Sequence, residues 1–316
     1  YADLFRFPWL KYGIDGFSKS FSDNLSVNAS LTGEYYKHKE IDYWSLFPMM
    51  EITYRAHPSH ILQLSVSSDK TYPSYWEMQN TVSYLNGYTE IQGNPDLRLS
   101  RLYSAQLNYI LKNKYIFTLY ANYIDNNFNQ LPYQSSERLV LIYKTLNFDY
   151  SSKLGLNVMI PFKAGSVLDS RLTLNGYYDK MKCDNYHDIS FNKDNLAFYA
   201  ELNNTFNISS KPTIKAEVSG SYITRNIQGP MTISSMYNVD AGLKWISPNG
   251  KAEISLKVDD MFNSWVPKDL NLQYKTQDLH MRMISDSRRV SLSFIYKFGD
   301  FKAKEHKEVD SSRFGK

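Results

Sequence analysis

The sequence has 316 residues, of which 36 are Lys or Arg and 32 are Asp or Glu, so its formal net charge is only +4. No segment is basic enough to follow a phosphate backbone, and a nucleic-acid partner is not expected. No run of about 18 apolar residues occurs, which excludes a transmembrane helix. These observations do not exclude a transmembrane β-barrel, because lipid-facing and lumen-facing residues alternate in such a wall. The mean hydropathy of −0.47 fits that pattern.

Aromatic and cysteine content narrow the class further. The chain carries 26 Tyr and 17 Phe but only one cysteine, Cys183. Abundant aromatic residues favour strands, and a lone cysteine excludes an intrachain disulfide or a CxxC motif. The chain begins at Tyr1 without a starter Met or a signal peptide, which predicts a fragment or a processed product.

Apolar and polar residues alternate along most of the chain. The pattern is clearest at 25–35, 251–258 and 289–298. No window has a comparable apolar stripe at helical spacing, so helices are expected to be few and confined to loops. The pattern predicts an all-β chain with a weaker strand at 9–21 and twelve clear strands at 24–37, 45–56, 60–69, 100–111, 114–125, 138–161, 168–180, 194–208, 212–225, 232–245, 251–262 and 289–298.

The connections between these strands alternate in length. Short turns and long connections follow one another alternately along the chain. An outer-membrane barrel has this arrangement, with short periplasmic turns and long extracellular loops. Several strands exceed the usual five or six residues and are long enough to cross a bilayer at a tilt. The long connections are predicted at 38–44, 70–99, 126–137, 181–193, 226–231 and 263–288.

Aromatic residues lie next to the predicted short turns. A band of aromatic side chains is expected where a barrel wall meets the lipid–water interface. The residues assigned to this band are Tyr109, Tyr115, Phe162, Phe206 and Trp245. An ordinary soluble core is the alternative use for them.

Five short motifs occur in a characteristic order. They are Leu46-Phe47-Pro48, Tyr72-Pro-Ser-Tyr75, Gly93-Asn-Pro-Asp-Leu97, Val258-Asp-Asp-Met-Phe-Asn263 and the closing segment from Arg288 to Gly299. In this order they resemble the C-terminal barrel of TonB-dependent outer-membrane receptors, and most closely the outer-membrane β-barrel family of Bacteroidota. The chain departs from that pattern at Leu97-Arg98-Leu99-Ser100, which lacks the usual proline and acid, and at Tyr72, where arginine is usual. These departures affect only the local loop conformation.

The resemblance implies an antiparallel transmembrane β-barrel portion of about 12–13 strands, whereas complete members of the family close about 22 strands around a plug. Residues 1–298 would be the C-terminal part of the barrel, without the plug and the N-terminal strands, and 299–316 a charged periplasmic tail. The implied location is the cell outer membrane, and the implied function is TonB-dependent nutrient uptake with ligand capture by external loops. The implied partners are outer-membrane lipid, the plug and TonB through the missing part of the chain, and an unidentified nutrient. Whether a surface lipoprotein caps the barrel, as in glycan importers of this family, stays open.

Aromatic side chains in two external loops are the ligand-contact candidates. Such rings stack on sugars or flat ligands while neighbouring polar groups orient them. The favoured interpretation is instead that they pack the long loops against themselves and the barrel rim, because a loop of this length must bury something to be ordered. The candidates are Tyr75, Trp76, Tyr84 and Tyr88 in loop 70–99, and Trp265 and Tyr274 in loop 263–288.

No residue pattern indicates an enzyme. His57 and His60 flank a predicted exposed turn without further ligands, and Asp259 and Asp260 point to opposite faces of a strand. No nucleophile elbow, phosphate loop or dinucleotide fingerprint is present, so no catalytic residue, metal site or cofactor is expected. Cys183 is interpreted as an incidental, half-exposed thiol.

Two other functions remain open at this stage. A stand-alone porin-like or structural outer-membrane barrel would pass solutes without energy coupling. A soluble β-sandwich that binds carbohydrate would leave the protein outside any membrane.

Overall fold

The structure, a computed structural model, describes residues 11–38 and 41–298. These residues are almost entirely β-structure, with one short helix, as predicted. In chain order the elements are β1 (Lys11–Ser22), β2 (Leu25–His38), β3 (Ile41–His57), β4 (His60–Thr71), α1 (Tyr75–Met78), β5 (Val82–Asn86), β6 (Thr89–Gln92), β7 (Ser100–Leu111), β8 (Tyr115–Asp125), β9 (Phe128–Gln134), β10 (Leu141–Asn147), β11 (Tyr150–Ala164), β12 (Leu168–Tyr186), β13 (Ile189–Ser210), β14 (Thr213–Ile223), β15 (Asn226–Gln228), β16 (Met231–Ile233), β17 (Met236–Ile246), β18 (Ala252–Asp259), β19 (Asp269–Tyr274), β20 (Gln277–Arg282) and β21 (Arg289–Tyr296).

Thirteen of these strands form one large antiparallel sheet, here called the wall. Each wall strand pairs with the next wall strand along the chain, so the sheet is a simple meander. Its order is β1-β2-β3-β4-β7-β8-β11-β12-β13-β14-β17-β18-β21. The count agrees with the predicted 12–13 strands. No described helix has the length and apolar character needed to span a membrane.

The strand register divides the wall into an apolar face and a polar face. Leu107, Leu119 and Leu156 pair in one row across β7, β8 and β11, and each stays 39–50% exposed. On the opposite face Thr118 donates a hydrogen bond to Asn108 at 2.7 Å. Exposed leucines in register have no protein core to fill, so this apolar face requires an apolar solvent.

The predicted aromatic band is confirmed. All five of its members fall on the apolar face and next to the short turns, as the strand register shows. Tyr109 also stacks on Phe117, with ring centroids 6.0 Å apart. Aromatic rings at this position suit an interface between lipid and water.

Two glycines lie beneath aromatic rings, one on each face of the wall. A Cβ at Gly155 would stand 2.4 Å from the Tyr120 ring, and the Tyr120 hydroxyl continues across the strand to donate to Asn175 at 3.0 Å. On the apolar face the Phe198 ring covers Gly176 in the same way, at 3.1 Å. Each ring therefore fills the space that the glycine leaves on the pleated surface.

The predicted single strand at 138–161 is wrong. The chain forms β10 and β11 there, separated at Phe148 and Asp149. Only β11 belongs to the wall, because β10 pairs with β6 and β9 in a separate sheet. Phe148 is fully buried, and its burial outside the wall separates the two strands.

The predicted loop at 181–193 is also wrong. β12 and β13 continue through it as a long hairpin that turns at His187 and Asp188. Within this segment Cys183, Tyr186, Ile189 and Phe191 are buried, although polar residues separate them along the sequence. The expected loop at 38–44 is likewise mostly strand, since β2 reaches His38 and β3 starts at Ile41, with 39–40 outside the described residues.

The other long connections lie at one end of the wall, as predicted, but they are not structureless. Connection 72–99 holds α1, β5 and β6, and β5-β6-β10-β9 form a four-stranded sheet. A second four-stranded sheet, β15-β16-β19-β20, joins connections 224–235 and 260–288. A capping box between Ser74 and Glu77 fixes the start of α1. The predicted tail 299–316 lies outside the described residues.

Candidate ligand-capture site

The long connections come together into one folded unit at the end of the wall, here called the cap. It comprises residues 72–99, 126–149, 181–193, 224–235 and 260–288. The main cluster of buried apolar side chains in the described chain lies here, formed by the connections together with the cap ends of β12 and β13. Its members are Leu131, Tyr133, Ile142, Phe148, Cys183, Tyr186, Ile189, Phe191, Met231 and Leu272.

Three aromatic rings at the centre hold the cap core together. Tyr186 meets Phe148 and Phe191 edge to face, with centroids 6.3 and 5.8 Å apart, and Phe148 meets Phe191 at 5.1 Å. The Tyr186 hydroxyl donates to the carbonyl of Pro132 at 2.8 Å. Burial keeps the pKa of Tyr186 well above its ordinary value, so the hydroxyl stays a donor. The tip of the β12–β13 hairpin is thereby anchored among the other connections.

Side chains also join the two small sheets directly. The Gln277 side chain accepts from the Gln134 amide at 2.7 Å and donates to the Gln134 carbonyl at 3.0 Å. The Gln277 side chain thereby pairs with the backbone at the edge of β9, where no neighbouring strand of the described residues does so. Nearby, Lys275 donates to Ser190 at 2.9 Å. The cap is therefore one interlocked unit.

A buried carboxylate fixes the first small sheet. Arg138 makes two hydrogen bonds to Glu90, at 2.8 and 3.0 Å, and the side chain of Glu90 is almost completely buried. These bonds, together with one from Gln92, hold the pKa of Glu90 below its ordinary value. Asn94, from the Gly93–Leu97 motif, donates to the carbonyl of Thr145 at 2.9 Å. The motif thus attaches connection 72–99 to β10.

The four aromatic candidates of connection 72–99 are exposed. Tyr75 and Trp76 lie on α1, Tyr84 on β5 and Tyr88 in the turn before β6, and 62–75% of each residue is accessible to solvent. Tyr75 and Trp76 contact each other edge to face at 5.7 Å. The expected packing of these rings within the loop is therefore wrong. The loop instead uses polar side chains and Leu97 to fold, and presents its large rings outward.

The two candidates of the last connection behave differently. Tyr274, at the end of β19, is partly buried against the cap core, and Lys193 lies 5.4 Å above its ring. Trp265 is 38% exposed and its amide donates to Asp260 at 2.9 Å. Asp260 also accepts from Ser264, so this carboxylate organises the turn after β18. Tyr274 is thus a packing residue of the cap.

Cys183 is buried, which corrects its predicted half-exposed position. The thiol lies 3.6 Å from the carbonyl of Asn147 in the cap core. Burial raises its pKa to about 11, so the thiolate that reacts with electrophiles is scarce at neutral pH. Sequence alone does not locate it, because the pattern predicts a loop where the structure has the ends of β12 and β13.

His187 is a site that the sequence did not single out. It occupies a left-handed conformation, with φ of 52°, at the tip of the β12–β13 hairpin. Its ring stacks on Tyr133 at 4.0 Å, and within the described residues its Nε2 atom has no hydrogen-bond partner. Burial, assisted by Lys144, lowers its pKa to about 4. The imidazole is therefore neutral at neutral pH.

The polar face of the wall continues from the cap towards the short turns. On β13, Glu201 accepts from Tyr199 at 2.7 Å and also from Asn203. On β12, Asp179 lies 3.3 Å from Lys153 across the β11–β12 pair. Hydroxyl, amide and paired charged groups of this kind suit a wet interior.

Comparison with known proteins identifies the family of the chain. Residues 19–296 match the outer membrane protein β-barrel family, which covers most of the chain. An antiparallel wall with an exposed apolar face is the structure that such proteins place in lipid. The chain belongs to the outer membrane protein β-barrel family, and its location is the cell outer membrane. No curated protein sequence is significantly similar to this chain.

Solved structures with a similar fold are outer-membrane receptors and transporters. The FrpB iron transporter from Neisseria meningitidis has a TM-score of 0.59 at 13% identity, over 90% of this chain and 45% of that one. The siderophore receptor PirA from Acinetobacter baumannii has a TM-score of 0.56 at 12% identity, over 92% and 46%. The ferric enterobactin receptor PfeA from Pseudomonas aeruginosa has a TM-score of 0.54 at 11% identity, over 79% and 40%. The chain spans less than half the length of each, and the likeness is one of fold.

The outer-membrane location assigns the apolar face of the wall to lipid. Outer-membrane barrels have short periplasmic turns and long extracellular loops, and the cap is built from the long connections. The resemblance inferred from the five motifs is confirmed, and the soluble β-sandwich alternative is wrong. The six candidate residues all lie in the cap, and five of them are exposed, whereas Tyr274 is partly buried.

Proposed function

We propose that this chain is the ligand-capturing part of an outer-membrane importer, in which the cap binds a nutrient and the polar face of the wall lines its path. The observation that carries the proposal is the group of exposed rings Tyr75, Trp76, Tyr84 and Tyr88 on a folded extracellular unit. Exposed aromatic side chains held on a fixed scaffold contact a ligand at a low cost in conformational entropy.

Energy coupling is the second part of the proposal. The chain matches less than half of each solved structure, which supports an assembly in which a plug and TonB act through a further part of the protein. Residues 1–298 would then be the C-terminal barrel portion and 299–316 a periplasmic tail. Outer-membrane lipid surrounds the wall, and a surface lipoprotein is a further candidate partner at the cap. We propose no catalytic chemistry and no bound cofactor.

The test compares nutrient depletion from a defined medium by cells that lack the protein, cells that express it, and cells that express Tyr84→Ala or Tyr88→Ala. Mass spectrometry of the medium identifies any solute whose loss depends on the protein. A proton ionophore should abolish that loss, because energised import requires the inner-membrane proton gradient. Depletion that persists with the ionophore would favour the stand-alone porin-like barrel instead.

The control variant is Leu139→Ala, because Leu139 is equally exposed on the cap but carries no aromatic ring. We expect it to leave depletion unchanged, whereas the two tyrosine variants reduce it. Equal loss in all three variants would show that the cap surface, and not its rings, matters.

A further inference from the structure

The apolar face of the wall contains a groove that the protein does not fill. Its volume is about 500 Å³, which falls within the roughly 300–1,000 Å³ range of small-molecule sites. Ala105 on β7 and Ala121 on β8 pair directly and form its floor. Val66 on β4 and Leu154 on β11 continue the same row and form its two sides. The groove thus results from two small residues between two large ones.

Taller side chains close the groove above and below. The next row towards the cap contains Tyr103 and Tyr123, whose rings lie 6.5 Å apart, and the next row towards the short turns contains Leu107 and Leu119. Tyr178 adds a further ring beside Leu154. Exposed apolar side chains therefore border the recess towards the cap and on the sides of Val66 and Leu154.

A second position on the wall shows that the protein can fill such a gap. Gly176 on β12 is smaller than either alanine, yet the Phe198 ring from β13 covers it, 3.1 Å from where a Cβ would stand. Ala105 and Ala121, in contrast, line the open groove, and both are exposed. The side chains that line an unfilled space lose dispersion contacts unless another molecule occupies it.

The position of the groove on the wall indicates which kind of molecule occupies it. It is continuous with the lipid-facing surface, and Tyr103 lies only three residues from Ser100, the cap end of β7. The groove therefore opens to the outer leaflet of the membrane. Tyr123 also stacks on Tyr150 at 5.6 Å, which extends an aromatic row along the level where lipid headgroups begin.

We propose that this groove is a binding site for one acyl chain of an outer-leaflet membrane lipid. The chain lies over Ala105 and Ala121, between Val66 and Leu154, and the tyrosine row contacts the start of the headgroup. Such a lipid is held by shape, because lipid tails gain no hydrophobic driving force by moving from the bilayer to the wall. It should exchange more slowly than the lipids that surround the rest of the wall.

The experiment is native mass spectrometry of the protein purified from its own outer membrane in mild detergent. Wild-type protein should carry the additional mass of one lipid. Ala105→Leu and Ala121→Leu place a side chain in the groove, and we expect each to lower the fraction of lipid-bearing protein about tenfold, because the contacts of several methylene groups are lost. Two variants are used so that one remains if the other does not assemble, and heat-dependent gel mobility shows which variants are folded.

Ala241→Leu is the matched control. Ala241 also lies on the apolar face, in a row between Val218 and Val258, but outside the groove. It should retain the lipid as wild type does. Equal retention by all three variants, or equal loss by all three, would overturn the proposal. Recovery of a protein in place of a lipid would assign the groove to a protein interface and would also overturn it.

Discussion

The wall and the cap differ in where they place their apolar side chains. The wall exposes them to lipid, whereas the cap buries them in a core of its own. In the wall, leucines such as Leu107, Leu119 and Leu156 remain exposed on one face, and backbone pairing between neighbouring strands supplies the order. In the cap, Tyr186, Phe148 and Phe191 are buried as in a small soluble domain. The comparison shows that one chain can place its apolar residues outward in lipid and inward in water. Side chains of the wall and of the cap should therefore respond differently to the same kind of change.

The largest effect is expected for Phe148→Ala in the cap. Phe148 is completely buried between Tyr186 and Phe191, and removing a buried phenyl ring costs about 3–5 kcal/mol. The cap should lose its fixed structure while the wall still assembles. Limited proteolysis of intact cells reports the first effect, and heat-dependent gel mobility reports the second. Phe148→Leu, which keeps most of the volume, is the control, and a simultaneous loss of wall assembly would show that the two regions fold as one.

Leu256→Arg tests the wall. Leu256 on β18 pairs with Leu243 and Leu292 on the apolar face, so the substitution places a charge in lipid. The cost is about 2–4 kcal/mol near the bilayer midplane. Folding into lipid vesicles measures it. Lys257→Arg, on the polar face one residue later, should fold normally, and equal behaviour of the two variants would contradict the assignment of the faces.

Gly155→Ala tests the polar face of the wall, with a smaller effect. The added methyl group meets the far end of the Tyr120 side chain, which can move away but then loses its hydrogen bond to Asn175. The expected loss is about 1 kcal/mol, the contribution of one such bond. Urea unfolding in vesicles measures it. Tyr120→Phe should lose a similar amount, and the double variant should lose little more than either single variant.

The last effect is a pH dependence confined to the cap, which is small near pH 6 and grows as the pH falls. The pKa of His187 is lowered to about 4 in the folded cap, whereas the ordinary value is 6.5. Above pH 6.5 the imidazole is neutral in both states and costs nothing. As the pH falls from 6.5 towards 4, His187 binds a proton in the unfolded state but not in the folded state, so the cap loses stability. Proteolysis of the cap should accelerate over this range, and His187→Gln should remove the acceleration.

The sequence predicted the wall much better than the cap, for a physical reason. A wall strand with one face in lipid must alternate with period two, as β2, β18 and β21 do, so its pattern can be read locally. The cap core is assembled from residues such as Leu131, Phe191 and Leu272, which are far apart in the chain. No local period records such contacts. For this reason the sequence pattern predicts one strand where the structure has β10 and β11, and a loop where the β12–β13 hairpin continues.

The candidate site was predicted in part. The sequence indicated the two aromatic-rich connections but not which rings are exposed, because exposure depends on contacts with other connections. Tyr84 on the edge strand β5 is exposed, whereas Tyr274 at the end of β19 packs against the cap core. His187 was missed because its burial depends on Tyr133, 54 residues earlier in the chain. Only the three-dimensional structure brings these residues together.

The most direct test of the two-region structure is cysteine labelling on intact cells with a membrane-impermeant maleimide. Native Cys183 is buried with a pKa raised to about 11, so the unmodified protein should give no signal. Tyr84→Cys, in the cap, should label on intact cells. Ser166→Cys, in the exposed turn between β11 and β12, should label only after the outer membrane is made permeable. Labelling of Ser166→Cys but not Tyr84→Cys on intact cells would contradict the orientation, and labelling of both would contradict a wall that crosses the membrane.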